Sequence, residues 1–131
     1  MARYTALDLT ALENVSTKFG FAEDDMQFRL GREALGCEQC GVSHLRLGPG
    51  YRIPFGHSHK EQEEVYVVVS GSARVKLADE TVELGPLHAV RIEPGTMRGC
   101  EAGPEGCELI LFGAPQTGPG DAEMEQGWWS D

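Results

Sequence analysis

The chain has 131 residues and a net charge of −10, and 40% of its residues are hydrophobic. This length is typical of a single domain that buries its own core, and no apolar stretch reaches the roughly 18 residues of a membrane span. The acidic balance argues against nucleic acid or an anionic membrane as a partner, because phosphate groups bind clustered lysine and arginine. No basic region followed by an apolar segment opens the sequence, so no secretory signal is expected.

The first predicted strand is Met26–Leu30, where apolar and polar residues alternate. Residues 1–25 carry weak signals and are expected to form an N-terminal arm. Residues 34–47 are predicted as a second strand region, with Gly36 and Gly41 as irregularities. His44 shares a face with Arg46, which favours a surface histidine over one that points into a pocket.

Residues 54–71 hold the pattern with the most chemistry. His57 and His59 are two apart, so on an extended segment both imidazoles point the same way. Glu64 opens the apolar run 65–69, which predicts a buried strand that ends at Gly71, and Tyr66 lies on the same face as Glu64. Two imidazoles and one carboxylate suit a divalent metal ion such as zinc, iron, manganese or nickel. The alternative is a polar loop whose histidines and glutamate face solvent.

The remaining chain predicts short strands separated by glycine and proline turns. A hairpin is expected around residues 73–84, a strand at 88–92 and another at 109–112. Residues 116–131 form a predicted C-terminal tail, whose Trp128 and Trp129 are expected to pack on the barrel or on a partner subunit. The pattern is typical of an all-β sandwich or barrel.

Four cysteines do not make a convincing zinc site. Cys37 and Cys40 form a CxxC pair, but Cys100 and Cys107 are six residues apart and provide no matching pair. Buried free thiols are the preferred interpretation, and with them a reducing, cytoplasmic location.

The stretch from His57 to Gly71 resembles the first motif of the cupin superfamily, G(x)5HxH(x)3-4E(x)6G. The match is complete from the first histidine onward, and the leading glycine, Gly50, is displaced by one position. The resemblance implies an all-β, cupin-like double-stranded β-helix, or jelly-roll barrel, with a metal or ligand pocket inside. Residues 1–131 would form one cupin domain, with a core at about 26–115, and the family resemblance suggests a homodimer.

The second cupin motif, G(x)5PxG(x)2H(x)3N, is degenerate in this chain. Pro94 and Gly95 match its turn, but Arg98 occupies the position of the expected histidine ligand. Arginine cannot ligate a metal because its guanidinium offers only donors. His88 lies near the other end of the preceding strand and is not favoured as the replacement ligand.

Three functional hypotheses follow, and the sequence does not decide between an enzyme and a binding protein. In the first, His57, His59 and Glu64 hold a divalent metal, Arg98 and Tyr66 bind a small anionic molecule, and the protein is an oxygenase or isomerase. In the second, the pocket is a metal-free binding or sensing site in which Arg98 pairs with Glu64. A structural or storage role without pocket chemistry is a third hypothesis.

Overall fold

The fold is a curled antiparallel sheet that forms a half-barrel, so the all-β jelly-roll prediction is confirmed. A computed structural model describes residues 2–118 and 120–131. These residues form the eight strands β1 (Met26–Leu30), β2 (Gly41–Leu47), β3 (Phe55–His59), β4 (Glu63–Leu77), β5 (Glu80–Leu84), β6 (Ala89–Ile92), β7 (Arg98–Ala114) and β8 (Ala122–Gln126). One short helix, α1 (Arg32–Leu35), and two 3-10 helices at Leu9–Ala11 and Val15–Phe19 complete the secondary structure. No helix in the described part of the chain is long and apolar enough to cross a membrane.

Strands β4 and β7 are the two longest strands and make most of the pairings in the sheet. They pair with each other along nearly their full length, while β7 also pairs with β2 and β3, and β4 with β5 and β6. The sequence places the end of a strand at Gly71, but β4 continues through it. The register shifts around this glycine, whose φ of 74° and close approach to the Gly106 carbonyl leave no room for a side chain. The irregularity bends the strand without ending it.

The core lies on the concave face of the sheet. Alternate residues of β4 and β7 point inward, as the alternation predicted, and Val68, Val75 and Leu109 are completely buried. Tyr66, Leu111 and Ile92 extend the same apolar cluster. The interior of the half-barrel is therefore filled with apolar side chains over most of its length. Polar groups enter it where β3 pairs with β7, at His57 and Arg98.

The prediction of a strand over residues 34–47 is wrong in its first part. Residues 32–35 form α1, which ends at Gly36 in the left-handed conformation (φ 73°), and the strand begins only at Gly41. Cys37 and Cys40 lie in the connecting loop, half-buried and exposed respectively, so these two thiols are not the buried ones expected. Cys100 and Cys107 are free and buried, as predicted.

His44 lies on the outer face of the sheet, as its alternation predicts, but it is buried rather than exposed. Its Nε2 is 2.7 Å from a carboxylate oxygen of Glu108, and only 2% of the residue is accessible. The 3-10 helix Leu9–Ala11 packs against β1 and β2 beside it. The N-terminal arm thus covers part of the outer face, and His44 takes no part in the interior site.

Candidate metal centre

Two strands bring the three candidate ligands together at one end of the barrel. His57 and His59 lie on β3, and Glu64 lies one residue after the start of β4. The Nε2 atoms of His57 and His59 are 3.5 Å and 3.3 Å from Oε1 of Glu64. The two imidazole rings meet edge to face, with centroids 5.1 Å apart. The three side chains that the sequence grouped therefore do converge.

The spacing of these donors matches that of ligands around a single metal ion. Donor nitrogen and oxygen atoms lie about 2.0–2.2 Å from a divalent metal, which places neighbouring ligands roughly 3.0–3.5 Å apart. The ligand atoms of His57, His59 and Glu64 all lie within 4.8 Å of one another, and two of the three separations fall within or at the edge of that range. The donor set therefore fits a divalent cation, with coordination positions left open for a ligand.

Arg98, which replaces the expected fourth ligand, points into the same space. It begins β7 and lies opposite His57 in the sheet register, and its residue is only 1% exposed. Its Nη1 donates to Oε1 of Glu64 at 3.1 Å. Its Nε and Nη2 are buried and have no hydrogen-bond partner among the described residues. One side of the guanidinium is thus paired and the other is not.

Asp121 is a member of the site that the sequence analysis missed. Its Oδ2 lies 2.9 Å from Nδ1 of His59, and its Oδ1 accepts the backbone N–H of Glu61 at 2.8 Å. It lies just before β8, in the acidic segment assigned to the tail, 62 residues beyond His59. No local pattern distinguishes it from the other acidic residues there, so only the pairing of β8 with β3 identifies it.

The electrostatics of the site favour an ionised glutamate. Burial opposes ionisation of Glu64, but hydrogen bonds from His57 and His59 and their charges outweigh it and lower its pKa to about 2. The hydrogen bond to Glu64 raises the pKa of His59, although burial opposes this. Burial likewise opposes ionisation of Asp121, but the Glu61 N–H and His59 hold its pKa below its ordinary value. Glu64 and Asp121 are therefore carboxylates at neutral pH.

The other candidates from the sequence lie apart from the ligand cluster or are inert. His88 is exposed and accepts the Gly85 backbone N–H at 2.8 Å, so it is not a replacement ligand. Tyr66 projects into the core on the Glu64 side and is 3% exposed. Cys100 is buried, and burial raises the pKa of its thiol far above its ordinary value, which disfavours the nucleophilic thiolate form.

Two open grooves on the surface lie elsewhere. A groove of about 770 Å³ opens beside Ala73, Leu84 and Ala102, and a second, of about 350 Å³, lies beside Gly48 and Gly106. Neither is lined by His57, His59, Glu64 or Arg98. The candidate ligands are thus concentrated in a tight, largely buried cluster and not in either surface groove.

Comparison with known proteins identifies the fold. No protein-family model and no curated protein sequence matches this chain. Among solved structures, Pac13 from Streptomyces, described as a nucleoside dehydratase and also solved with uridine, aligns over 96% of this chain and 92% of its own, with 18% identity and a TM-score of 0.69. KdgF from Halomonas aligns over 74% of this chain and 84% of its own, with 20% identity and a TM-score of 0.63.

Oxalate decarboxylase from Bacillus subtilis provides a third comparison. A variant of that enzyme aligns over 91% of this chain with 23% identity and a TM-score of 0.72, but the aligned part is only 32% of the longer enzyme. At these identities the likeness establishes the fold and does not transfer an activity. The chain has the fold of the cupin superfamily, and in it a His-His-Glu cluster able to bind a metal.

Proposed function

We propose that this protein binds a small anionic molecule at a divalent metal ion held by His57, His59 and Glu64. The observation that carries the proposal is the convergence of the three donors: the Nε2 atoms of His57 and His59 lie 3.5 Å and 3.3 Å from Glu64 Oε1. A neutral imidazole nitrogen and a carboxylate oxygen are both acceptors, so this approach is unfavourable unless a proton or a metal cation lies between them. A cation bound to all three donors removes the conflict.

Arg98 determines which ligands suit the site. Its Nε and Nη2 form one edge of the guanidinium and are the two donors left without partners among the described residues. That edge matches the two oxygens of a carboxylate, which it binds through two parallel hydrogen bonds. With a divalent cation, one Glu64 carboxylate and one guanidinium, the immediate site carries a net charge of about +2. A carboxylate ligand lowers that excess and satisfies the buried donors.

The metal, when bound, would supply a Lewis acid with open coordination positions. The chain's own residues would bind and orient the substrate around it. Arg98 would hold the carboxylate, and Tyr66, on the same face as Glu64, would donate a hydrogen bond from the pocket wall. Oxygenation or isomerisation of an acidic small molecule is the reaction class proposed. Among the structural neighbours, oxalate decarboxylase is named for a small dicarboxylate substrate.

Metal analysis of protein purified without chelator tests the proposal. The wild type should hold close to one equivalent of a divalent metal, and a double variant with His57→Ala and His59→Ala should hold almost none. His88→Ala is the matched control, because this exposed histidine should not affect metal content. Near-zero metal in all three proteins, including after incubation with Zn²⁺ and desalting, would refute the metal site.

A metal-free binding pocket is the second candidate, and the ion pair between Arg98 and Glu64 at 3.1 Å favours it. Here the guanidinium takes over the role of the cation, and the pocket binds the anion without metal. Titration of chelator-treated protein with oxalate, and with its neutral diamide as the matched control, separates the two candidates. Oxalate binding that survives metal removal supports the metal-free pocket, and binding that requires Zn²⁺ supports the metal site.

We further propose that the chain is a homodimer, with the outer face of β4 and β7 at the interface. Val69 and Phe112 are 43% and 45% exposed on these strands, and Val65, Val67 and Ile110 beside them are only half-buried. An apolar sheet face of this kind is stabilised by a second copy. Sedimentation equilibrium should give twice the monomer mass for the wild type, and Phe112→Asp should shift that mass toward the monomer.

The free cysteines support a reducing, cytoplasmic location.

A further inference from the structure

The C-terminal segment lies along the strand that carries both histidines. Strand β8 pairs antiparallel with the whole of β3, from Phe55 opposite Gln126 to His59 opposite Ala122. Beyond β8, the N–H of Gly127 donates to the carbonyl of Pro54 at 2.9 Å. The segment that the sequence predicts as a tail is therefore the edge strand beside the ligand cluster.

Asp121 fixes the near end of this segment to His59 and its neighbours. Besides its two carboxylate hydrogen bonds, its carbonyl accepts the N–H of Lys60 at 3.0 Å. Its side chain is only 6% exposed. Each carboxylate oxygen has a different donor, the Glu61 amide on one and the His59 ring on the other. The carboxylate therefore cannot rotate without breaking a hydrogen bond.

Two tryptophans fix the far end. Trp128 packs against Gly56, the residue before His57, so closely that a Cβ at Gly56 would lie 2.7 Å from the indole ring. The guanidinium of Arg52 lies 4.1 Å from the ring centroid of Trp129, and its Nη1 donates to the Trp129 carbonyl at 3.2 Å. The strand is thus anchored on both sides of the histidine pair.

We infer that Asp121 is a positioning residue of the metal site, which holds the ring proton of His59 on Nδ1 and leaves Nε2 free to bind the metal. The inference rests on the proposed metal site, but the geometry that supports it does not require the metal. A carboxylate only accepts hydrogen bonds, so the nitrogen 2.9 Å away must carry a proton. When the ring is neutral, Nε2 is therefore the unprotonated nitrogen, and it faces Glu64 Oε1 in the orientation that ligation needs.

Without Asp121 the ring would be expected to adopt the other tautomer. Glu64 is the remaining carboxylate at the ring, 3.3 Å from Nε2, and it would draw the proton onto Nε2. A metal would then have to displace that proton before His59 could bind. Loss of a hydrogen-bond partner of a metal-ligating histidine typically weakens metal affinity about 10- to 100-fold.

The experiment compares wild type, Asp121→Ala, the isosteric Asp121→Asn and the control Glu125→Gln, an exposed carboxylate on β8. Long-range ¹H–¹⁵N spectra of the metal-free proteins at alkaline pH report which nitrogen of His59 is protonated. Wild type and Glu125→Gln should show a protonated Nδ1, and Asp121→Ala should shift the proton to Nε2. Zn²⁺ titration should give an affinity about 10- to 100-fold weaker in Asp121→Ala. Asp121→Asn should also bind more weakly, because its oxygen can still accept the Glu61 N–H while its amide N–H donates to Nδ1 and holds the ring proton on Nε2.

The two readouts separate the inference from the proposed function. If Asp121→Ala and Asp121→Asn keep the wild-type tautomer of His59, the inference is overturned, whatever their Zn²⁺ affinity. If no protein binds Zn²⁺ but the tautomer shifts, the metal site is overturned and the positioning role stands. A tautomer shift in Glu125→Gln equal to that in Asp121→Ala would also refute the inference, because loss of any negative charge on β8 would then move the proton, with no need for the contact between Asp121 and His59.

Discussion

Replacing Arg98 with methionine removes a permanent positive charge from the site while keeping an unbranched side chain of similar length. Arg98 Nη1 lies 3.1 Å from Glu64 Oε1, and a metal would lie about 2.1 Å from the same oxygen, so the two cations would be at most about 5 Å apart. At an effective dielectric of 20, their repulsion is about 7 kcal/mol. Side-chain movement and bound anions offset part of this, so we expect Arg98→Met to bind metal at least about tenfold more tightly, a difference of 1.4 kcal/mol.

Isothermal titration of the metal-free protein with Zn²⁺ measures the effect, and Arg98→Lys is the matched control because it keeps the charge. A second measurement uses the ligand. If Arg98 holds a carboxylate beside the metal, oxalate should tighten Zn²⁺ binding in the wild type, and Zn²⁺ should tighten oxalate binding by the same factor. Arg98→Met should lose this coupling.

Equal or weaker Zn²⁺ affinity in Arg98→Met, with the protein folded, would refute the electrostatic reasoning. It would mean that the guanidinium is directed away from the metal when the metal is bound. Equal coupling between oxalate and Zn²⁺ in both proteins would show that the anion binds elsewhere.

Two further predictions concern the C-terminal anchor. Burial opposes ionisation of Glu101, but hydrogen bonds from its two arginine partners, one of which is Arg52, outweigh it and lower its pKa. The stability that the ionised Glu101 contributes is present above the unfolded pKa of about 4.3 and is lost as pH falls through the lower folded value. Glu101→Gln should therefore be less stable than wild type at pH 7 and equally stable in acid, whereas the exposed Glu80→Gln should follow wild type throughout. A stability difference between Glu101→Gln and wild type that does not change with pH would contradict this. Trp129→Ala should lower the free energy of unfolding by about 3 kcal/mol, measured in urea, and an equal loss in Met124→Ala, an exposed residue of β8, would argue against the anchor.

The local sequence correctly predicted those features that depend on residues close together in the chain. The spacing of His57 and His59 fixes both rings on one face of an extended strand, and the strand Met26–Leu30 follows from its alternation alone. The apolar run after Glu64 predicts a buried strand because few other environments accept so many β-branched side chains. Those features depend on the period of the strand, which the order of residues specifies.

The local sequence did not predict those features that depend on contacts between distant segments of the chain. The burial of His44 depends on an arm more than 30 residues earlier, and the length of β4 depends on a glycine that bends the strand instead of ending it. Residues 34–40 lack a strand because no neighbouring strand pairs with them. Long-range pairing, which local alternation does not encode, determines each of these.

The sequence by itself determined the fold class, the motif and the identity of three donors, because all of these reside in short, contiguous patterns. Only the tertiary structure decided that Arg98 contacts Glu64 Oε1, the same oxygen that both histidines approach. It also decided that Asp121 lies against His59. The reason is physical: a guanidinium or a carboxylate acts over a few ångströms, and here the residues that interact are 34 and 62 positions apart.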